Sequence, residues 1–364
     1  MIIKEVTDLL EELAPLTYAE DFDNVGLLVG HPDTDVTGIL VTLDTLENVV
    51  DEAIANNCNL IVSFHPIIFT GLKKLTGTTY VERVVIKAIQ NNIAIYSMHT
   101  ALDTSPYGVN AKICEVLGIA DAKILIPQKG TIKKLATYVP MAEAAMLKKA
   151  LFDAGAGHIG NYSHCSFTTN GTGSFKALEN AKPLKGEIGQ IHQEKEAQIH
   201  VIYLRSKEKQ ILSALFANHP YEEVAYELST LENANQNIGM GMVGTLQKPI
   251  GETEFLMFVK QKMNAACIRH SNLMGRPVQK IAVLGGNGAF AIASAKAAGA
   301  EVFITSDVKY HQFFEADGKM VIADIGHYET EQFTKNLLVD YLTKKIPNFA
   351  IRLSDSKTNP IKYL

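Results

Sequence analysis

Short apolar runs alternate with amphipathic segments through the first third of the chain. The runs GILVTLD (38–44), NLIVSFH (59–65) and IAIYSMHT (93–100) have the length and composition of strands, whereas ENVVDEAIANN (47–57) and VERVVIKAIQNN (81–92) have helical spacing. Strands that are apolar without a break are typical of parallel sheets covered by helices on both faces. The alternation therefore predicts an α/β layer architecture.

The pattern changes between about residues 133 and 232. A strand (LATYVP) and a helix (AEAAMLKKALFDAG) lead into a glycine-rich stretch, and a strand (AQIHVIYL), a helix (KEKQILSALFANH) and a strand (VAYELSTL) follow. This order indicates a ferredoxin-like α+β domain, and about 100 residues suffice for one. The α/β signals resume after NANQNIGMGMVGT (233–245), interpreted as a linker. We therefore predict an α/β body from residues 1–130 and 235–364, interrupted by an inserted domain at 131–234.

Charge and cysteine usage exclude some classes of function. The 364 residues carry a net charge of −5 with no lysine or arginine block, which argues against binding to nucleic acid phosphates. The four cysteines form no CxxC pair, so reduced thiols are expected. The first residues form an acidic amphipathic pattern rather than a signal peptide, and no apolar run is long enough for a membrane helix. A cytoplasmic protein is expected.

Histidines and acids fall where predicted strands end. His65 closes one apolar run and is followed at once by Pro66, while His99 and Asp44 lie at the ends of neighbouring runs. Asp103 follows His99 in a segment interpreted as a loop. Ligands of open α/β sheets bind beyond the carboxyl ends of the strands, so these side chains are candidates for one shared site.

The segment DIGHYETEQF (324–333) is the strongest local signal for a metal. His327 and Glu331 are four residues apart where a strand gives way to a helix, so both side chains project from one face and can share an ion. The alternatives are a surface His–Glu pair or an acid that complements the helix dipole. Nitrogen and oxygen donors without a thiolate suit zinc, iron or manganese.

Three further motifs contain glycine, acidic or histidine residues that could contribute to a site. GGNGAF (285–290) fits a relaxed dinucleotide pattern with Asp307 as its acidic partner, but only about 75 residues follow it, which favours a tight strand–helix turn. Asp307 and His311 lie in TSDVKYHQFFEADG (305–318) and are either hydrogen-bonded loop residues or supports for the site. ANHPYEEVAY (217–226) is interpreted as structural.

Six motifs occur in the order and spacing of one protein family. The chain resembles the GTP cyclohydrolase type 2 homologue family, also called NIF-three-like proteins, over essentially its whole length. The residues from GAGHIGNYSHCSF to HPYEEVAYEL resemble the PII/CutA-like domain of the longer bacterial members. The motifs are DNVGLLVG (23–30), SFHPIIF (63–69), SMHTALDTSPYGVN (97–110), GGNGAF (285–290), FITSDVKYH (303–311) and GHYETE (326–331).

The resemblance implies an α/β body of two similar halves, toroidal homohexamers and a centre of up to two divalent metal ions per chain. The implied ligands are His65, Asp103, His327 and Glu331. The first of the family's paired histidines is Phe64 here, which cannot ligate, so water or His99 would have to complete one site. The other polar residues nearby, as supporting or substrate-binding groups, are His99, Asp307 and His311.

Two classes of function follow from the resemblance. One is a metal-dependent hydrolase acting on a nucleotide or pterin-like small molecule, since paired cations activate water and polarise a substrate. The other is a non-catalytic, metal-binding or regulatory hexameric ring with an unknown small-molecule ligand. No residue pattern specifies guanine recognition, and neither a nucleic acid nor a membrane is expected as a partner.

Overall fold

The computed structural model describes all 364 residues, which separate into two compact units. One unit consists of Met1–Pro127 and Gln236–Leu364, and the other of Gln128–Asn235. The first unit contains two mixed sheets with helices on their faces. None of its helices, or of those in the second unit, is long and apolar enough to span a membrane.

The first sheet of the larger unit is built mainly from N-terminal residues. Its strands are β1 (Gly26–Val29), β2 (Ile39–Thr42), β3 (Leu60–Ser63), β4 (Ala94–Ser97) and β15 (Ile351–Leu353). Their order in the sheet is β1-β4-β3-β2-β15. Strands β15, β2, β3 and β4 are parallel, and β1 is antiparallel to β4. The helices of this part are α1 (Ile3–Leu13), α2 (Glu47–Ala55), α3 (Tyr80–Gln90), α4 (His99–Thr104) and α5 (Val109–Leu117). The predicted alternation of strands and helices is therefore confirmed.

The second sheet has six strands in the order β11-β14-β13-β12-β10-β5, with parallel pairing from β12 through β14. Its strands are β5 (Ala120–Gln128), β10 (Asn235–Ile250), β11 (Arg269–His270), β12 (Val278–Asn287), β13 (Val302–Ser306) and β14 (Val321–Asp324). The helices that accompany it are α8 (Glu252–Lys262), α9 (Ile292–Ala297), α10 (His327–Glu331) and α11 (Thr334–Lys345). The mixed α/β class is thus the one predicted from the sequence.

One apolar core is shared by the inner faces of both sheets. Val41 and Val62 of the first sheet belong to the same buried cluster as Ile281 and Val283 of the second. Leu338 of α11 is buried in the same cluster. The common core holds the carboxyl ends of the two sets of parallel strands in one body.

The predicted linker at 233–245 is wrong, because these residues form most of β10. The strand pairs with β12 through Met242 and Gly244, among others. A Cβ on Gly239 would lie 2.0 Å from the carbonyl oxygen of Ile126, and one on Gly244 would lie 2.5 Å from that of Ala120. The glycines are there because neighbouring backbone approaches closely, and not because the segment is a flexible connection.

The smaller unit has one four-stranded sheet. Its strands are β6 (Ile132–Pro140), β7 (Ser166–Lys176), β8 (Ile191–Leu204) and β9 (Tyr226–Leu231), and its helices are α6 (Ala144–Asp153) and α7 (Glu208–Asn218). The order is β7-β8-β6-β9, and every neighbouring pair is antiparallel. Leu135, Leu147, Ile199 and Leu215 are fully buried between sheet and helices and form a separate core.

Candidate metal centre

His65 lies two residues beyond Ser63, the last residue of β3, at the carboxyl end of the parallel strands of the first sheet. Because β2 and β3 are parallel and end in register at Thr42 and Ser63, Asp44 comes to lie beside it. The Nδ1 atom of His65 is 2.8 Å from Oδ1 of Asp44. This contact fixes the ring and leaves Nε2 as the atom available for a ligand.

His327 and Glu331 come from the second sheet through α10, which starts shortly after β14. The Oε2 atom of Glu331 lies 3.2 Å from Nε2 of His327 and also 3.2 Å from Nε2 of His65. Neither contact has hydrogen-bond geometry, so this buried oxygen lacks a proper donor. The ligand atoms of the three residues all lie within 4.8 Å of one another, which is the arrangement of a shared metal site.

In this region, the Nδ1 atom of each histidine contacts the carboxylate of an aspartate. His65 contacts Asp44, and Nδ1 of His327 is 2.6 Å from Oδ2 of Asp307. His99 makes the same contact with Asp23, at 2.8 Å. Carboxylate–histidine pairs of this kind orient metal-binding imidazoles and raise their basicity.

Asp23 is a further polar residue of this region, and it is not among the site residues predicted from the sequence. It belongs to the DNVGLLVG motif, and both the backbone N–H and the hydroxyl of Thr100 donate to its Oδ2. No local pattern marks it as a partner of His99, because 76 positions separate the two residues.

The carboxylates of the centre determine the protonation of its two imidazoles. Burial opposes ionisation of Glu331, but the nearby imidazoles of His327 and His65 outweigh it and lower its pKa to about 2. Burial likewise opposes charge on His65, but contacts with Asp44 and Glu331 raise its pKa to about 10. Burial also opposes charge on His327, but its contacts with Glu331 and Asp307 raise its pKa to about 9. The carboxylates thus hold two protons on the imidazoles, at positions where a metal ion would compete with them.

Asp103 lies near this centre and interacts electrostatically with Glu331. It is not one of the three residues whose ligand atoms converge. Burial and the charge of Glu331 raise the pKa of Asp103 well above its usual value. Its Oδ1 is buried without a hydrogen-bond partner. Buried polar atoms are rarely left unpaired, so this atom and Oε2 of Glu331 have the environment of oxygen atoms that could bind a cation.

The segment around Asp103 differs from the prediction. His99 and Asp103 were expected in a loop, but both belong to the short helix α4. His99 starts that helix with a φ of +24°, a strained value for a residue other than glycine. Its ring centroid is 5.3 Å from that of His65, so the prediction that His99 lies near the site is compatible with the structure.

Phe64 and His311 occupy different environments. Phe64 is fully buried, with its ring centroid 4.9 Å from that of His65 and 5.6 Å from that of His99. His311 contacts Tyr310 and Phe314 in a 3₁₀ segment, Tyr310–Ala316, and is not among the converging ligands.

The glycine-rich turn GGNG supports Glu331. The N–H of Gly285 donates to Asn110, and the N–H of Gly286 donates to Thr330. A Cβ on Gly286 would lie 2.4 Å from Oε1 of Glu331, and its φ is +67°. The dinucleotide alternative loses its basis, because these N–H groups are used within the protein; the predicted tight turn is the one that fits.

Comparison with known proteins agrees with the motifs. A family model described as Duf34/NIF3 (NGG1p interacting factor 3) matches residues 1–360. The GTP cyclohydrolase 1 type 2 homolog of Bacillus subtilis is 36% identical over 99% of this chain and 98% of its own length. The protein of the same name from Staphylococcus epidermidis is 33% identical over the full length of both.

Solved structures give the same result. A Bacillus cereus protein related to NIF3 has a TM-score of 0.84 and 36% identity, covering 100% of this chain and 99% of that one. The Staphylococcus aureus protein SA1388 has a TM-score of 0.78 and 28% identity, with coverage of 100% and 99%. The resemblance inferred from the six motifs is confirmed, and the chain belongs to the Duf34/NIF3 family.

Proposed function

We propose that this protein binds divalent metal at His65, His327 and Glu331, with Asp103 as a further ligand, and uses it to hydrolyse a nucleotide or pterin-like small molecule. The observation that carries the proposal is the position of Oε2 of Glu331, 3.2 Å from Nε2 of both histidines. The unpartnered Oδ1 of Asp103 supplies a second carboxylate oxygen. Zinc, iron and manganese are the metals that suit this donor set.

The protein's own residues have distinct tasks in this proposal. Asp44 and Asp307 hold the imidazoles of His65 and His327 with Nε2 towards Glu331. Glu331 is almost fully buried, whereas the side chain of His327 is 41% exposed, so a substrate would approach from the side of His327. A bound metal would supply an activated water and polarise the substrate. The substrate class rests on the names of the relatives, which are GTP cyclohydrolase 1 type 2 homologs.

Metal content tests the site directly. Protein purified without chelator should contain metal, and the His65→Ala, Glu331→Ala double variant should lose it. His311→Ala is the matched control, because that histidine lies outside the cluster and its loss should leave metal content unchanged. Full metal content in the double variant would show that the ion binds elsewhere.

Activity needs a separate experiment. Metal-loaded protein would be incubated with a panel of nucleotides and pterins, and hydrolysis products would be followed by mass spectrometry. Turnover by the parent and its loss in His65→Ala would support the hydrolase. Retention of turnover in His65→Ala would exclude this centre as the catalytic site.

A non-catalytic metal-binding ring is the second candidate, and Phe64 favours it. The phenylalanine packs against His65 and His99 and offers no donor where the family has a histidine. A centre with one ligand fewer holds its second ion more weakly, which suits storage or sensing better than two-metal catalysis. Metal binding without turnover across the panel would be the expected result for this function.

We further propose that the smaller unit is a ferredoxin-like, PII/CutA-like domain and that the chain forms a toroidal homohexamer in the cytoplasm. The β7-β8-β6-β9 order with two helices supports the domain type. The hexamer rests on the family resemblance, and the four free cysteines are compatible with a reducing compartment. Light scattering coupled to size-exclusion chromatography tests the hexamer; a monomeric mass would contradict it.

A further inference from the structure

A cavity in the smaller unit is separate from the residues of the metal centre. Its volume is about 320 Å³, and Tyr138, Phe175 and Tyr221 form part of its wall. The ring centroids of Phe175 and Tyr221 are 6.3 Å apart and their planes are inclined by 60°. The volume lies at the lower end of the range for small-molecule sites, and such sites combine apolar walls with a few placed polar groups.

Glu196 is the buried polar group of this cavity. It is only 9% exposed, and its Oε1 accepts a 2.8 Å hydrogen bond from the hydroxyl of Tyr221. A Cβ on Gly173 would lie 2.0 Å from Oε2 of Glu196. The glycine in the GTGSF stretch therefore makes room for the carboxylate, which indicates that the position of Glu196 is built into the strand beside it.

No lysine, arginine or histidine of the protein forms an ion pair with this carboxylate. His219 is the nearby imidazole, but its Nδ1 accepts the backbone N–H of Tyr221 and its Nε2 lies 2.9 Å from the carbonyl oxygen of Tyr138. One ring nitrogen is thus an acceptor and the other a donor, which is the neutral form. Burial also lowers the pKa of His219.

The remaining charged groups of the wall are mostly acidic. Glu222 and Glu223 line the cavity together with a single cation, Lys182. Lys182 is exposed, and its backbone N–H donates to Glu222. Cation–π contacts of lysine and arginine occur outside the cavity, on the rings of Phe258, Phe313 and Tyr341. No lysine or arginine thus lies over a ring of the cavity, and the imidazole that packs against Phe175, His192, contacts Glu194 rather than Glu196.

We propose that this cavity binds a small organic cation through an alkylammonium group. Glu196 would be its counter-ion, and Phe175 and Tyr221 would offer their ring faces. A buried carboxylate without a charge partner is costly, and a cation held over aromatic rings supplies the missing partner. The acidic wall disfavours anions, and a neutral ligand lacks the charge attraction to Glu196, so charge is the basis of selection.

Choline and its neutral isostere 3,3-dimethyl-1-butanol test this proposal with the full-length protein. Calorimetric titration should show choline binding at least about tenfold tighter than the alcohol, because the two differ only in charge. Glu196→Gln should weaken choline binding about tenfold and leave the alcohol unchanged. Glutamine still accepts the hydroxyl of Tyr221, so the local fold is retained. Glu232→Gln is the matched control, since that carboxyl is exposed and does not line the cavity.

A second variant separates the ring from the carboxylate. Phe175→Leu keeps an apolar wall but removes a ring face, so choline binding should weaken by a larger factor than binding of the alcohol. Unchanged melting temperatures would show that both variants are folded. Equal affinities for choline and the alcohol, no choline binding at millimolar concentration, or unaltered binding in Glu196→Gln would each overturn the proposal.

Discussion

Oε2 of Glu331 lies 3.2 Å from Nε2 of His65, and the two residues follow strands of different sheets of the α/β body. His65 follows a strand of the first sheet, while Glu331 ends a short helix attached to the second. An ion shared by these atoms would therefore link both halves of the body. Ligands that bind only the folded state stabilise it, so metal should raise the melting temperature.

Gly286→Ala should remove metal while leaving the protein folded. A Cβ at this position would lie 2.4 Å from Oε1 of Glu331 and would push the carboxylate out of place. Gly118→Ala is the matched control, because its φ of +66° imposes a similar backbone strain but nothing lies within 4 Å of the added Cβ. Both variants should lose about 1–2 kcal/mol of stability from that strain. Equal metal content in the two variants would show that the glycine does not protect Glu331.

Phe64→His should raise the metal content after dialysis. The parent is expected to hold one ion tightly and to lose a second, since even losses outside the ligand set cost roughly 10–100-fold in affinity. The added imidazole would bring the content towards two ions per chain. Phe64→Leu is the control, because it retains an apolar side chain in the core and adds no ligand. Two equally tight ions in the parent would show that another residue, with His99 as the candidate, completes the site.

Metal affinity should rise steeply with pH. Without metal, the pKa of His65 is raised to about 10 and that of His327 to about 9, so both imidazoles carry a proton at pH 7. Each must lose it before Nε2 can bind an ion. Affinity should therefore rise by about 100-fold per pH unit between pH 6 and 8, two protons being released per ion bound. Calorimetry in buffers of different ionisation enthalpy measures this release; no proton release would contradict the prediction.

Removal of residues 131–234 should leave a folded, metal-binding body. The two strands that flank this segment, β5 and β10, are neighbours in the second sheet, so a short linker can join them. The smaller unit has its own apolar core, and its loss removes none of the four metal residues. The truncated protein should keep the metal content of the parent. An insoluble or metal-free product would show that the body depends on the insert.

The local pattern of the sequence determined the strands, the helices and the residue types at the strand ends. Apolar runs such as 59–65 form strands because they bury both faces, although the strand in this run ends at Ser63 and His65 lies just beyond it. The spacing of four residues also predicted that His327 and Glu331 lie on one face of a helix, since the relative position of residues i and i+4 depends only on helix geometry. The six motifs were sufficient to identify the family.

Only the tertiary structure decided which of these side chains meet. His65 and Glu331 are brought together by two sheets that pack on one core, and Asp23 reaches His99 across 76 positions. The segment 233–245 looked like a linker because glycine has the same local signal in a flexible connection and in a strand that another backbone approaches closely. Contacts between distant segments depend on packing and register, and a single sequence carries no local record of either.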